Sequence, residues 1–335
     1  MDQIPRIALS LLPVLVFLGA LIYLDSYKLV KFRAIVLTIL FGSVVAVAAL
    51  FINSLAMDSL SIDRTIYTRY GSPVIEETLK ILFIVYLIQS KKVGFMVDAG
   101  IRGFAIGAGF ALFENIYYLE SLQTANLFIW VIRGFGTAIM HGGTTCIFAI
   151  ISKNLMDVHG SEKAYWYIPG FLSVIIIHSF FNHLFFSPLI NTAIIIISLP
   201  SLMMTVYHRS ERGTQNWLGV GFDADAKILN MIVSDNIAAS KIGAYLTLIK
   251  DRFEPEVVLD IFCYLRIYLE LTVQAKGILL MRETGFDAEP DPEIQKKFSE
   301  LTYLEKSIGR TGKIALSPFI RTSSRDLWQL KMLQK

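Results

Sequence analysis

The sequence predicts an all-α protein: a multipass membrane helical bundle of about seven spans, followed by a C-terminal soluble helical domain. Two observations carry that prediction. Of 335 residues, 54% are hydrophobic, and the apolar residues gather in runs near the 20 residues needed to cross a bilayer. Charge is divided unevenly as well: 18 Lys+Arg and 17 Asp+Glu fall within 209–335, against 13 and 11 in the preceding 208 residues. The expected division is therefore a membrane domain over 1–208, a linker over 209–226 and a helical domain over 227–335.

Seven spans are expected, at roughly 4–24, 34–57, 72–90, 100–119, 127–151, 166–187 and 188–208. The first has no small-residue cleavage site behind it and reads as a retained helix. The last two meet at Ser187-Pro188, a tight turn. Gly103, Gly107 and Ala111 in the fourth form a small-residue stripe suited to close helix contact.

Basic residues alternate between connections. Lys28, Lys31 and Arg33, then Lys91 and Lys92, then Lys153 and Lys163, then Arg209 and Arg212 lie on one side, and the intervening connections are neutral or acidic overall. The positive-inside rule gives a multipass protein of the cell membrane with its N-terminus outside and the C-terminal domain cytosolic. Tyr165, Trp166, Tyr167 and Tyr207 at inner boundaries, and Tyr117, Tyr118 and Trp130 at outer ones, agree.

A net charge of +3 gives no ground for nucleic-acid binding, and two cysteines, Cys146 and Cys263, give none for a disulfide framework. Within 209–226 the Gly, Asn and Asp content reads as linker. Helices are expected at Lys241–Phe253, Pro255–Glu283 and Pro292–Ile308, with Asp291 as N-cap of the third. Val257, Ile261, Leu265 and Tyr268 or Leu269 form the core stripe of the longest. Gly309–Lys313 lacks the spacing of a phosphate loop and reads as an ordinary loop. The tail is expected to regulate, to self-associate or to bind a cytosolic partner.

Ionisable residues inside the spans mark the chemistry, because each costs several kcal/mol in hydrocarbon unless it faces a protein-lined interior. They are Glu76, Glu77, Lys80, Glu114 and Arg133, joined by His141, His178, Asn182 and His183. Glu76 and Lys80 share a helix face, and Glu77 is turned about 100° away. Two adjacent carboxyls in different environments can divide into base and supporting roles. Tyr118 follows Glu114 by one turn. Arg133 and His141 lie two turns apart, with Arg133 suited to pair with Glu114 or Glu77. His178 and Asn182 share a face: an imidazole to move a proton and an amide to donate to an oxyanion. His183 is turned off that face.

Ser72 and Ser179 lack a Gly-x-Ser setting, no intramembrane Asp pair exists and HExxH is absent. Glutamate and histidine remain, acting on water directly or through a metal. Zinc is possible, with Glu76, Glu114, His141 and His178 as alternative ligands. A metal carrier and a non-catalytic receptor or scaffold are the competing classes. A transporter would show internal repeats, and none is visible.

The motifs Glu76-Glu77-Thr78-Leu79-Lys80, Phe113-Glu114 with Tyr118, Arg133 with His141, and His178 with Asn182, in that order over about residues 70–185, resemble the PrsW family of glutamic-type intramembrane proteases. That family is similar to the CAAX prenyl endopeptidase and bacteriocin-processing superfamily. The resemblance implies hydrolysis of a peptide bond of a membrane protein, within or at the edge of the bilayer. It implies Glu76 as base, Glu77 in support, and His178 with Asn182 stabilising the oxyanion. The second motif departs from the wider superfamily, which has a histidine where this chain offers Glu114 and Tyr118. The water-activating imidazole is then His141 or His178, with Lys80, Tyr118 and Arg133 supporting.

Overall fold

The structure, a computed structural model, describes residues 3–60, 62–122, 124–161, 163–234, 240–286, 288, 291–320 and 323–334. The described elements are helical throughout, and the chain divides into two compact units, Met1–Ser210 and Glu211–Lys335.

The first unit is built from α1 (Gln3–Tyr23), α2 (Phe32–Leu60), the one-turn α3 (Arg64–Ile66), α4 (Ser72–Gln89), α5 (Met96–Ser121), the short α6 (Leu127–Val131), α7 (Ile139–His159), α8 (Ile168–His183) and the start of α9 (Pro188–Val233). Two π-helical segments, Tyr67–Gly71 and Ile132–Ala138, lead into α4 and α7. Six stretches among the described residues are long and apolar enough to cross a membrane: α1, α2, α5, Leu127–His159, Ala164–His183 and α9. The expected third span, 72–90, corresponds to α4, which is not among those six; it carries Glu76, Glu77 and Lys80 and packs among α2, α5, α7 and α8.

Helix α5 is the axis of this unit. Nearly every residue from Val97 to Ala111 is buried, and its main neighbours are α7 on one side and α2 on the other. Small residues make both approaches possible. A Cβ on Gly107 would fall 2.0 Å from the His141 carbonyl oxygen, and one on Gly103 2.6 Å from that of Thr145. Towards α2, a Cβ on Gly109 would fall 2.0 Å from the Ile39 carbonyl oxygen, and Ser43 Oγ donates to the Gly109 carbonyl at 2.9 Å. Lipid is no worse a solvent than leucine, so backbone contact of this kind is what holds apolar helices together in a bilayer. The outward faces of α1 and α2 stay apolar, with Ile4, Leu12, Val16, Leu37, Leu40 and Phe51 exposed.

In the connection between α1 and α2, Asp25 Oδ2 accepts from the Leu29 amide at 2.7 Å and the Val30 amide at 3.4 Å. Burial pushes this carboxyl up to about 7, against the opposing effect of the Leu29 amide, and the nearby Asp98 carboxyl adds to the rise.

The second unit contains the end of α9, α10 (Lys241–Ile249), α11 (Pro255–Glu283), α12 (Ile294–Leu316) and α13 (Ser324–Leu333). Ile261, Leu265, Tyr268 and Leu269 form the expected stripe on α11, and they meet Phe298, Leu301 and Leu304 of α12 in one core. Two readings need correction. The expected linker, 209–226, is helical and belongs to α9. Its Thr214, Leu218, Gly221 and Asp225 are buried at helical spacing, and Asp225 pairs with the buried Lys276 of α11 at 2.6 Å. The expected loop after Ile308 is a break at Gly309 (φ 61°), after which the helix resumes so that Gly312 and Leu316 stay in the core. Helix α13 was not anticipated, although its capping box, Ser323 with Asp326, is a sequence-visible start signal.

Gly107→Ala lowers the melting temperature of the purified protein in lipid by several degrees, because overpacking typically costs about 1–3 kcal/mol. Gly19→Ala, with nothing within 4 Å of its Cβ, does not lower it. For Asp25 the folded carboxyl titrates above its unfolded value. Its contribution to stability is full below about pH 4 and is lost as pH rises through about 7. Thermal stability measured from pH 5 to pH 8 therefore falls, and Asp25→Asn flattens that slope.

Candidate active site

Helix α4 supplies the two carboxylates and the lysine. The preceding π segment and Pro73 in the first turn set its start. The sequence placed Lys80 on one helix face with Glu76, about one turn away. The ammonium instead donates to Glu77 Oε1 at 2.6 Å, at i,i+3, with both side chains fully buried. The two spacings are nearly equivalent on a helix, and here Glu77 is the glutamate that faces the interior. Glu76 faces a cavity of about 180 Å³ that is also lined by Asn53, Tyr67, Ser72, Glu114 and Tyr118.

Glu77 Oε1 is a hub. It also accepts from Thr144 Oγ1 of α7 at 3.2 Å and lies 2.7 Å from His178 Nδ1 of α8. A carboxylate opposite Nδ1 assigns the proton there. His178 Nε2 is then the ring's basic nitrogen, and it lies 3.9 Å from Glu76 Oε2. Glu77 Oε2 is buried with no hydrogen-bond partner among the described residues.

His141 sits on the other side of Lys80. Its Nδ1 is 3.1 Å from the ammonium and its Nε2 3.1 Å from Glu114 Oε2. An ammonium only donates, so Nδ1 accepts and Nε2–H donates to Glu114. The His141 and His178 rings meet edge to face, centroids 5.0 Å apart. Arg133, in the π segment before α7, places Nη2 3.4 Å from Glu114 Oε1, donates from Nε to Asn115 Oδ1 at 2.9 Å, and stacks its guanidinium 3.7 Å from the Tyr118 ring centroid. Asn115 in turn donates to the Ser10 carbonyl of α1 at 2.7 Å.

Glu76, Glu77, Lys80, Glu114, Tyr118, Arg133, His141 and His178 are thus gathered into one network. Asn182 is not bonded into it: its amide donates to the Thr68 carbonyl at 2.9 Å, tying α8 to the π segment before α4. His183 bonds the Tyr70 hydroxyl at 2.9 Å, as an interface residue. Sequence reasoning missed several participants, Asn115 beside Arg133 and Tyr67 beside Asn53 among them. Asn53 of α2 donates to Glu76 Oε1 at 3.3 Å and accepts from the Tyr67 hydroxyl at 2.8 Å. Thr144, one turn beyond His141 on α7, is another, through its bond to Glu77. Ser72, noted only as a poor nucleophile, donates to Glu76 Oε1 at 2.5 Å. An asparagine within a long apolar run was the visible signal for Asn53.

The donor set also fits a divalent cation. One ligand atom each from Glu76, His141 and His178 lies within 4.8 Å of the others. Two imidazoles and a carboxylate are a common catalytic zinc set. The Glu77–His178 pair has the carboxylate–imidazole form that orients metal-binding histidines. The unpartnered Glu77 Oε2 marks polar capacity that protein atoms leave unused.

Buried acids and imidazoles around a small polar cavity in a membrane-helix bundle are what an intramembrane hydrolase requires. A model described as PrsW family intramembrane metalloprotease matches residues 31–207, and the chain belongs to that family of intramembrane proteases. No curated protein and no solved structure gives a significant match.

Proposed function

We propose that this protein cleaves a peptide bond of membrane-protein substrates with a water activated between Glu76 and His178. The observation that carries the reading is the 3.9 Å approach of Glu76 Oε2 to His178 Nε2, beside a cavity of about 180 Å³. That separation lets one water bond both groups. Glu76 takes a proton from the water as its oxygen attacks the scissile carbonyl carbon. The carbonyl π bond opens to a tetrahedral oxyanion, and the Tyr118 hydroxyl, aligned by Arg133, donates to it. The proton held by Glu76 passes to the amide nitrogen, the C–N bond breaks, and a carboxylic acid and an amine leave. His178, oriented by Glu77, holds the water throughout. Asn182, engaged by Thr68, acts by fixing α8.

A second reading is favoured by the ligand-like grouping of Glu76, His141 and His178 and by the metalloprotease description of the family. A divalent cation held by these three would supply Lewis-acid polarisation of the water and of the carbonyl. His141 would join the set through Nε2 by giving up its contact with Glu114, its ring proton moving to Nδ1 and Lys80 releasing one of its own to accept from it. Glu114, which lines the same cavity, is then the carboxylate left to take the proton.

The alternation of basic connections supports an N-terminus outside and the second unit in the cytosol, where it would meet a partner or a second copy.

Cleavage of a membrane-protein reporter in proteoliposomes tests both readings. Glu76→Gln loses about 10²–10⁴-fold in rate in either case. If water is activated by side chains alone, chelation leaves the rate unchanged and Glu114→Gln has a small effect. If a cation is held, chelation removes activity, zinc restores it, and Glu114→Gln loses as much as Glu76→Gln. Full activity in a correctly inserted Glu76→Gln variant contradicts both.

A further inference from the structure

An apolar groove of about 390 Å³ runs between α7, α8 and α9, with Gly143, Thr144, Ile177, Ile195 and Ser198 among its lining. It meets the polar network at Thr144. Thr144 lines the groove, and its hydroxyl donates to Glu77 Oε1 at 3.2 Å. Ile177, also in the lining, directly precedes His178.

Among the polar residues of the lining, Thr144, Asn191 and Ser198, one is buried and left unsatisfied. Asn191, 3% exposed, lines the groove, and its amide nitrogen has no hydrogen-bond partner among the described residues. A buried donor in apolar surroundings is costly until an acceptor reaches it. An acyl chain carries no acceptor along its length. An intact helix offers none either, because its carbonyls are bonded internally. A helix that has locally unwound does expose main-chain carbonyls, and a peptide bond must leave the helix before water can reach it.

We infer that this groove receives the substrate: an apolar membrane-spanning peptide segment docks on α8 and α9, and the Asn191 amide binds a carbonyl of its unwound stretch. The groove takes apolar side chains next to the scissile bond, and Asn191 favours segments that unwind. This rests on the protease reading for the word substrate, and the test below separates the two.

The full-length Glu76→Gln protein is reconstituted in phosphatidylcholine vesicles with a photo-cross-linking residue at Ile195 in the groove or, as control, at Val44 on the exposed face of α2. The probe is a fluorescent Leu/Ala peptide of about 20 residues with a central Gly-Gly pair and lysine ends. The expected result is peptide adduct at Ile195 well above that at Val44, reduced about five-fold by Asn191→Leu, the worth of one ordinary hydrogen bond. Asn191→Gln, which keeps the donor, retains most of it. Equal adduct at the two positions, lipid adduct alone at Ile195, or no effect of Asn191→Leu overturns the inference. Adduct in the groove with no Glu76-dependent cleavage by the wild type would leave the docking site standing and end the protease reading. Glu76-dependent cleavage without groove adduct would do the reverse.

Discussion

The site depends on one buried cation. Lys80 is fully buried, 2.6 Å from Glu77 Oε1 and 3.1 Å from His141 Nδ1. An ammonium in such a place is tolerable only if its neighbours are fixed and correctly charged. Its demands set the rest. Glu77 is kept as a carboxylate hub, which orients His178. His141 must accept at Nδ1, so its Nε2–H turns to Glu114. Glu114 then takes Arg133 on its other oxygen. Glu76, left out of this chain, is the carboxylate free to face the cavity, where Asn53 and Ser72 hold it.

Such a network needs helices at close range, and glycine provides it. Where Gly107 meets the His141 carbonyl, the packing of α5 on α7 and the position of the His141 imidazole are one constraint. The π segments contribute in the same way. Each sits immediately before a helix that bears site residues, and the second carries Arg133 itself. Extra residues inserted in a helix cost regularity and re-aim side chains, so they persist where position matters more than stability.

Much of this was legible beforehand. Ionisable residues in apolar runs identified the network, because hydrocarbon permits them only where partners exist. The glycine stripe of α5 foretold its close contact. What could not be read was which neighbour each charge would choose. Spacing leaves Glu76 and Glu77 almost equally able to reach Lys80, and only the position of α7 and α8 decides between them. Asn182 shared a face with His178 as expected, yet the Thr68 carbonyl of a segment more than a hundred residues away captured its amide. The expected linker at 209–226 was misread because glycine and aspartate were weighed by composition, whereas their burial at helical spacing is a tertiary matter.

The central claim is that Lys80 and Glu77 form a mutually dependent buried pair. A double-mutant cycle on thermal stability in lipid, using Lys80→Met, Glu77→Met and the two together, measures it directly. Each single change is expected to cost about 3–5 kcal/mol, by leaving a charge unpaired, and the double change no more than either alone. Costs that simply add would show two independent groups and contradict it.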